Sequence, residues 1–355
     1  MNPSAASSAP PLRSTAATLP LLPGLLLAGL LAALSLAGAP WLQQHGLGAL
    51  TIAVLLGIAA GNLLPSQALA PLAPGIDFSR QRLLRLGVML YGFRISFQQI
   101  ADVGWQGAAL AAAMLLATFT FSWLVGTHVL GLERRTVILI GAGSSICGAA
   151  AIMATQPVVR GKPGEVAVAV ATVVLFGTLA MLLYPWLYRL GQTVPALHVA
   201  PRAFGLLTGA TVHEVAQVIA VGHALGPEVA ANAIVAKMIR VMLLVPFLLA
   251  LSGWQARQQD GAAAAAQGRG AAMPWFALAF IALAGVHSCG LLSQSSVQAL
   301  LALDDFLLAM AMAGLGMQSK LSALRAAGPS ALLLGALNFV FLLVAGFGLL
   351  RLFGA

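Results

Sequence analysis

Residues 136–155 read TVILIGAGSSICGAAAIMAT, twenty positions without one charged side chain. About 20 apolar residues suffice to cross the hydrocarbon core of a bilayer, so this stretch belongs in a membrane. It is not an ordinary span. Between Gly141 and Gly148, three glycines and two serines fall within eight residues, and each glycine costs a helix about 1 kcal/mol against alanine. The expectation is a helix broken near Gly143, with Ser144 or Ser145 capping the N–H groups of its second half. The positive end of that half-helix would suit an anion. A small-residue packing face is the alternative.

The rest of the chain has the same character. Of 355 residues 60% are hydrophobic and 8% charged, with a mean hydropathy of +0.95. A soluble domain carries about 25% charged residues, so too little charge is present to cover 36.3 kDa in water. Soluble enzyme, nucleic-acid reader, secreted scaffold and disordered chain are excluded together. The net charge of +9 does not imply nucleic acid, because the basic residues punctuate apolar segments as loop charges do. Cys147 and Cys289 give neither a disulfide framework nor a metal spacing, and no cofactor is implied.

The fold class expected is an all-α polytopic membrane protein of about ten or eleven transmembrane helices, some broken, with an inverted repeat. Spans fall near 19–38, 47–64, 82–99, 106–126, 136–155, 165–187, 203–222, 228–250, 274–290, 303–318 and 329–350. Residues 1–18 read as a disordered tail and 19–355 as one transporter-like domain. Within it, 252–273 forms a cytoplasmic linker containing QARQQDGAAAAAQGRG. The stretch Leu36–Pro40 resembles a signal cleavage region, although the preceding apolar run is long enough to be a retained helix.

With the N-terminus inside, cytoplasmic segments would hold Arg13, Arg80, Arg82, Arg85, Arg134, Arg135, Arg189, Arg202, Arg257, Arg269, Lys320 and Arg325, twelve of the 18 basic residues. This bias gives N-in, C-out, with loops near 80, 134, 196, 260 and 325 cytoplasmic. The misfit is Arg160 with Lys162, which fall outside unless the 136–155 segment is broken or re-entrant. Two further segments, 92–104 and 316–328, both start and end on glycine with apolar residues in register. They read as inverted copies, a secondary-transporter trait that places a site near the bilayer midplane.

A second unusual segment, FGLLTGATVHEVAQ at 204–217, combines small residues and hydroxyls with His213 and Glu214. His213 and Gln217 are four apart and share a helix face. A zinc-protease motif would need a second histidine where Gln217 stands, and neither a P-loop nor a nucleophile–base spacing is present. Lys237 and Arg240 lie inside the 228–250 span. Two cations at a helix centre cost roughly 5–7 kcal/mol to insert, so they must meet a carboxylate, a cavity or a bound anion; the plainer alternative, in which Arg240 snorkels or bridges to Glu214, suits a single arginine better than this Lys–Arg doublet. Arg94 reads as interfacial, Asp304 and Asp305 as the start of a helix, His45 and His223 as surface residues, and Met310, Met312 and Met317 as packing.

Five segments carry a resemblance: LLRLGVMLYGFRISFQQI, GAGSSICGAAAI, GATVHEVAQVIAVG, KMIRVMLLVP and GLGMQSKLSAL. In order, from about residue 20 to the end, they resemble the YeiH-type sulfate-exporter family. The resemblance implies a multi-pass bacterial inner-membrane protein, distantly similar in build to bile-acid/sodium symporters and cation/proton antiporters. It names a fold better than a substrate. The expected function is a secondary carrier, not an enzyme, exporting a small anion such as sulfate or sulfite by ion-coupled alternating access. Gly143, Ser144, Ser145, Lys237 and Arg240 would bind substrate, with His213, Glu214 and Gln217 as the coupling site for H+ or Na+. A coupled carrier of an organic solute, or a channel or sensor, are the alternatives. Partners would be the lipid bilayer, the anion and the coupling ion, with a homodimer allowed.

Overall fold

In the computed structural model, residues 20–42, 48–194, 198–258, 275–319 and 327–352 are described, and every regular element among them is helical. The helices are α1 (Leu22–Leu42), α2 (Ala49–Leu63), α3 (Leu84–Leu90), α4 (Phe97–Leu124), α5 (Arg134–Ser145), α6 (Ala149–Val159), α7 (Pro163–Thr193), α8 (Pro201–Thr211), α9 (Val215–Leu225), α10 (Pro227–Met242), α11 (Leu244–Gln258), α12 (Trp275–Ser288), α13 (Gln294–Gln318) and α14 (Pro329–Leu352). α3 belongs to a run of short helical pieces from Ser66 to Arg94. Among the described residues, six helices are long and apolar enough to cross a membrane. Prolines open α7, α8, α10 and α14, where a missing N–H costs nothing. Ser96 caps α4. Within α4, Gly104 at φ 53° and ψ −157° turns the chain between a short entry turn and the crossing helix, a conformation open chiefly to glycine.

Two groups of helices are distinguishable by what packs on what. One comprises α1, α2, the 66–94 run, α12 and α13; the other comprises α4 to α11 and α14. They meet mainly along α9, where a Cβ on Gly48 would stand 3.8 Å from that of Ala224 and the rings of Tyr91 and His223 lie 5.6 Å apart.

Neither broken segment passes straight through. A straight helix would separate residues 139 and 161 by about 33 Å, yet a Cβ on Gly161 would lie 3.0 Å from Leu139 Cδ1. α5 and α6 therefore fold back as a re-entrant hairpin. Likewise a Cβ on Gly205 would lie 2.7 Å from the Val229 carbonyl and one on Gly222 2.6 Å from Ala230 Cα. Both ends of the α8–α9 pair thus sit at one level of α10, making a second hairpin. α7 shows how the two relate. From its N- to its C-terminus it touches Gly143 through Val173, then Gln217 through Gly177, then Thr211 through Tyr184, then Phe204 through Tyr188. The hairpins enter from opposite faces and meet tip to tip.

This corrects the expected topology. Arg134, Arg135, Arg160 and Lys162 now share one face, so the misfit disappears, while Arg189 and Arg202 move to the other. The positive-inside rule makes the Arg134 face cytoplasmic. The loop near 196 is then on the outer face, not the cytoplasmic one, because a re-entrant segment adds no crossing. The linker at 252–273 and the second copy of the 92–104 repeat fall largely on 259–274 and 320–326, outside the described residues.

Candidate functional site

Hairpin tips meet on one helix. Lys237 and Arg240 of α10 are fully buried and three residues apart, on one side. The Lys237 ammonium donates to the carbonyls of Ile146 at 2.8 Å, Val212 at 2.7 Å and His213 at 2.6 Å. Arg240 donates through Nε to Ser145 O at 2.5 Å, through Nη2 to Ser144 O at 2.6 Å and through Nη1 to Val212 O at 3.3 Å. These carbonyls end α5 and α8, where four backbone acceptors lack partners and the dipole is negative. Two buried cations thus cap the first half of each hairpin and tie the tips together.

The second halves start at the same place. At Gly148, φ is 71° and ψ −134°, and a Cβ there would stand 2.9 Å from Glu214 Oε1; only glycine lets the tip turn this close to the other hairpin. Glu214 Oε1 accepts the Ala149 N–H at 3.2 Å, and the Glu214 N–H donates to Gln217 Oε1 at 3.1 Å. Glu214 is also the N-cap of α9. One carboxylate therefore occupies the positive ends of two half-helices.

All eight residues expected at the site converge: Gly143, Ser144, Ser145, His213, Glu214, Gln217, Lys237 and Arg240. Their roles differ in two respects. Ser144 and Ser145 finish α5 rather than capping α6, because the turn falls three residues later, at Gly148. Their carbonyls face Arg240; the Ser145 hydroxyl donates to Ala142 O at 3.4 Å and the Ser144 hydroxyl accepts from Asn338 at 3.4 Å. No salt bridge joins Glu214 to Arg240 or Lys237 among the described residues. His213 Nδ1 and Gln217 Nε2 are buried without a hydrogen-bond partner, as are Thr178 Oγ1 and Asn338 Oδ1. Asn338, which also donates to Ser122 at 3.1 Å, was not anticipated; its signal is a lone amide inside the apolar 329–350 span.

Elsewhere, Asp304 and Asp305 do not open a helix. They lie inside α13 (Gln294–Gln318) and bracket Arg94, with 3.3 Å to Asp304 and 2.7 Å to Asp305. Arg94 is thus an ion-pair partner rather than an interfacial anchor, and His223 lies half-buried against Tyr91.

The profile of a family described as Conserved hypothetical protein 698 matches residues 23–335. The chain belongs to that family. It is 51% identical over 334 residues to a UPF0324 membrane protein of Pseudomonas aeruginosa, covering 94% of each chain. It is 48% identical to one of Yersinia pestis, over 92% of this chain and 91% of that one. With the UPF0324 inner membrane protein YeiH of Escherichia coli K12 it shares 46% identity over 92% of both. No solved structure matches. This UPF0324 member is a multi-pass protein of the bacterial inner membrane, as its apolar helices and the name of its Escherichia coli relative agree.

Proposed function

We propose that this protein is a secondary carrier for a small oxyanion, bound where the two hairpin tips meet. The observation that carries the reading is a surplus of positive charge buried inside the helix bundle. Lys237 and Arg240 contribute two positive charges and Glu214 one negative, leaving +1 in a fully buried cluster. Backbone carbonyls solvate both cations but carry no formal charge, so the net charge is left for a ligand to balance, and intramembrane charge of this kind marks substrate and ion pathways. A monoanion balances the cluster as it stands, and a dianion balances it when Glu214 carries a proton. Gln217 Nε2, buried without a partner, and the N–H groups opening α6 and α9 are the donors such an anion would meet. Displacing the Glu214 carboxylate from Ala149 frees one of them, which links anion binding to a proton.

Opposed re-entrant elements at the midplane suit alternating access. Sulfate and sulfite, with export as the direction, are the substrates to try first. An organic solute coupled at His213 and Glu214 is the second reading, favoured by the position of that carboxylate. Purified protein screened for thermal stabilisation by sulfate, sulfite, thiosulfate and small carboxylates tests the class, since a ligand selective for the folded state raises stability with its concentration. Counterflow in proteoliposomes tests the mode: a carrier exchanges and saturates, whereas a channel does not. Stabilisation by none of these anions would overturn the oxyanion reading.

A further inference from the structure

A second charged cluster lies away from the hairpin tips, within the first group of helices and bordering α9 of the other. Asp304 and Asp305 of α13 share one guanidinium, that of Arg94, which also donates to Leu301 O at 3.2 Å. Tyr91 lies under the guanidinium with its ring 5.2 Å away, and beyond Tyr91 stands His223 of α9. The triad is one negative charge over. Asp304 is fully buried and its Oδ1 has no hydrogen-bond partner. Asp305 is 37% exposed and lines, with His223, Leu36 and Leu50, a cavity of about 170 Å³. That is room for several waters beside the triad.

We propose that the Arg94–Asp304–Asp305 triad binds a proton and that His223 makes this site a clasp between the two helix groups. Two carboxylates on one cation in a low-dielectric setting resist being ionised together, and one proton neutralises the set. The proton is shared with His223 across the cavity. Carried by the imidazole, it pairs a positive ring with a negative triad; carried by a carboxylate, it leaves both sides neutral. Only in the first case do opposite charges attract across the joint and draw α9 onto α2 and α13. The charged and titratable groups facing this joint, among the described residues, are Tyr91, Arg94, Asp304, Asp305 and His223. Nothing here depends on what the hairpin tips bind.

Infrared difference spectra of the purified full-length protein between about pH 8 and about pH 5 test the site. A carboxylic-acid carbonyl band should appear on acidification, persist in Glu214→Gln, and be lost in Asp305→Asn, which sits at the cavity and should fold if Asp304→Asn does not. The clasp is read separately. In a Cys147→Ala, Cys289→Ser background, Gly48→Cys with Ala224→Cys places two Cβ atoms 3.8 Å apart, within disulfide range. Copper-catalysed cross-linking at the lower pH, relative to the higher, should rise severalfold over the same ratio in the His223→Gln version, a comparison that cancels thiol ionisation. A band unchanged in Asp305→Asn, or lost in Glu214→Gln instead, overturns the proton site. Equal cross-linking ratios with and without His223 overturn the clasp.

Discussion

Replacing Lys237 by methionine keeps the length of the side chain and removes its charge. Three charge-assisted hydrogen bonds of 2.6–2.8 Å are lost, each worth about 1.5–3 kcal/mol, for a loss of about 4.5–9 kcal/mol. Against this, a buried cation that cost about 2.5–3.5 kcal/mol to insert is gone. The net expectation is a destabilisation of about 1–6.5 kcal/mol, because three carbonyls at the hairpin tips are left facing an apolar methyl group. Unfolding of the purified variant in mild detergent, followed by tryptophan fluorescence, measures it. The double variant with Glu214→Gln should not recover the loss, since no ion pair joins the two residues. A Lys237→Met protein as stable as the wild type, or full recovery in the double variant, would refute the capping argument and restore a Lys237–Glu214 pair.

Glu214→Gln keeps an acceptor for Ala149 and should fold, while raising the surplus charge at the tips from +1 to +2; anion binding should tighten and lose its dependence on pH, as measured by thermal shift across a pH series. Gly177→Ala places a methyl group against the Gln217 amide, so anion affinity should fall about tenfold or more while the fold persists, the cost being a displaced side chain rather than displaced backbone. Ser144→Ala with Ser145→Ala should cost under about 1 kcal/mol of stability, because both hydroxyl contacts are long, at 3.4 Å, and weak at that length. Single cysteines at Gly164 and Arg134 should label from the same face and one at Gln192 from the opposite face; labelling of Arg134 with Gln192, opposite Gly164, would mean that α5 and α6 cross the membrane.

Composition alone makes the chain a helical membrane protein, and both hairpin tips are legible as clusters of glycine and hydroxyl residues. What apolar length cannot reveal is direction. A folded-back pair of half-helices and a straight span have the same hydropathy, and only the stranded Arg160 and Lys162 hinted at the difference. The buried cations were legible as an expense needing a partner. That the partner is backbone was not, since carbonyls at helix ends carry no mark in sequence. The Arg94–Asp304–Asp305 triad was hidden for another reason: its members are 210 and 211 positions apart, and each has an ordinary local explanation.

The tie between the tips also sets an order of assembly. Arg240 is 95 residues downstream of the Ser145 carbonyl it holds, and chains are made at about 5–20 residues per second. For roughly 5–20 s after α5 leaves the ribosome, the first hairpin must rest in or beside the bilayer with its terminal carbonyls unclaimed. The second hairpin waits a shorter time, Lys237 following Val212 by only 25 residues. Biogenesis therefore hinges on α10: until that one helix inserts, neither hairpin has a reason to stay at depth, and a chain truncated before Lys237 should be a substrate for membrane quality-control proteases rather than a smaller folded protein.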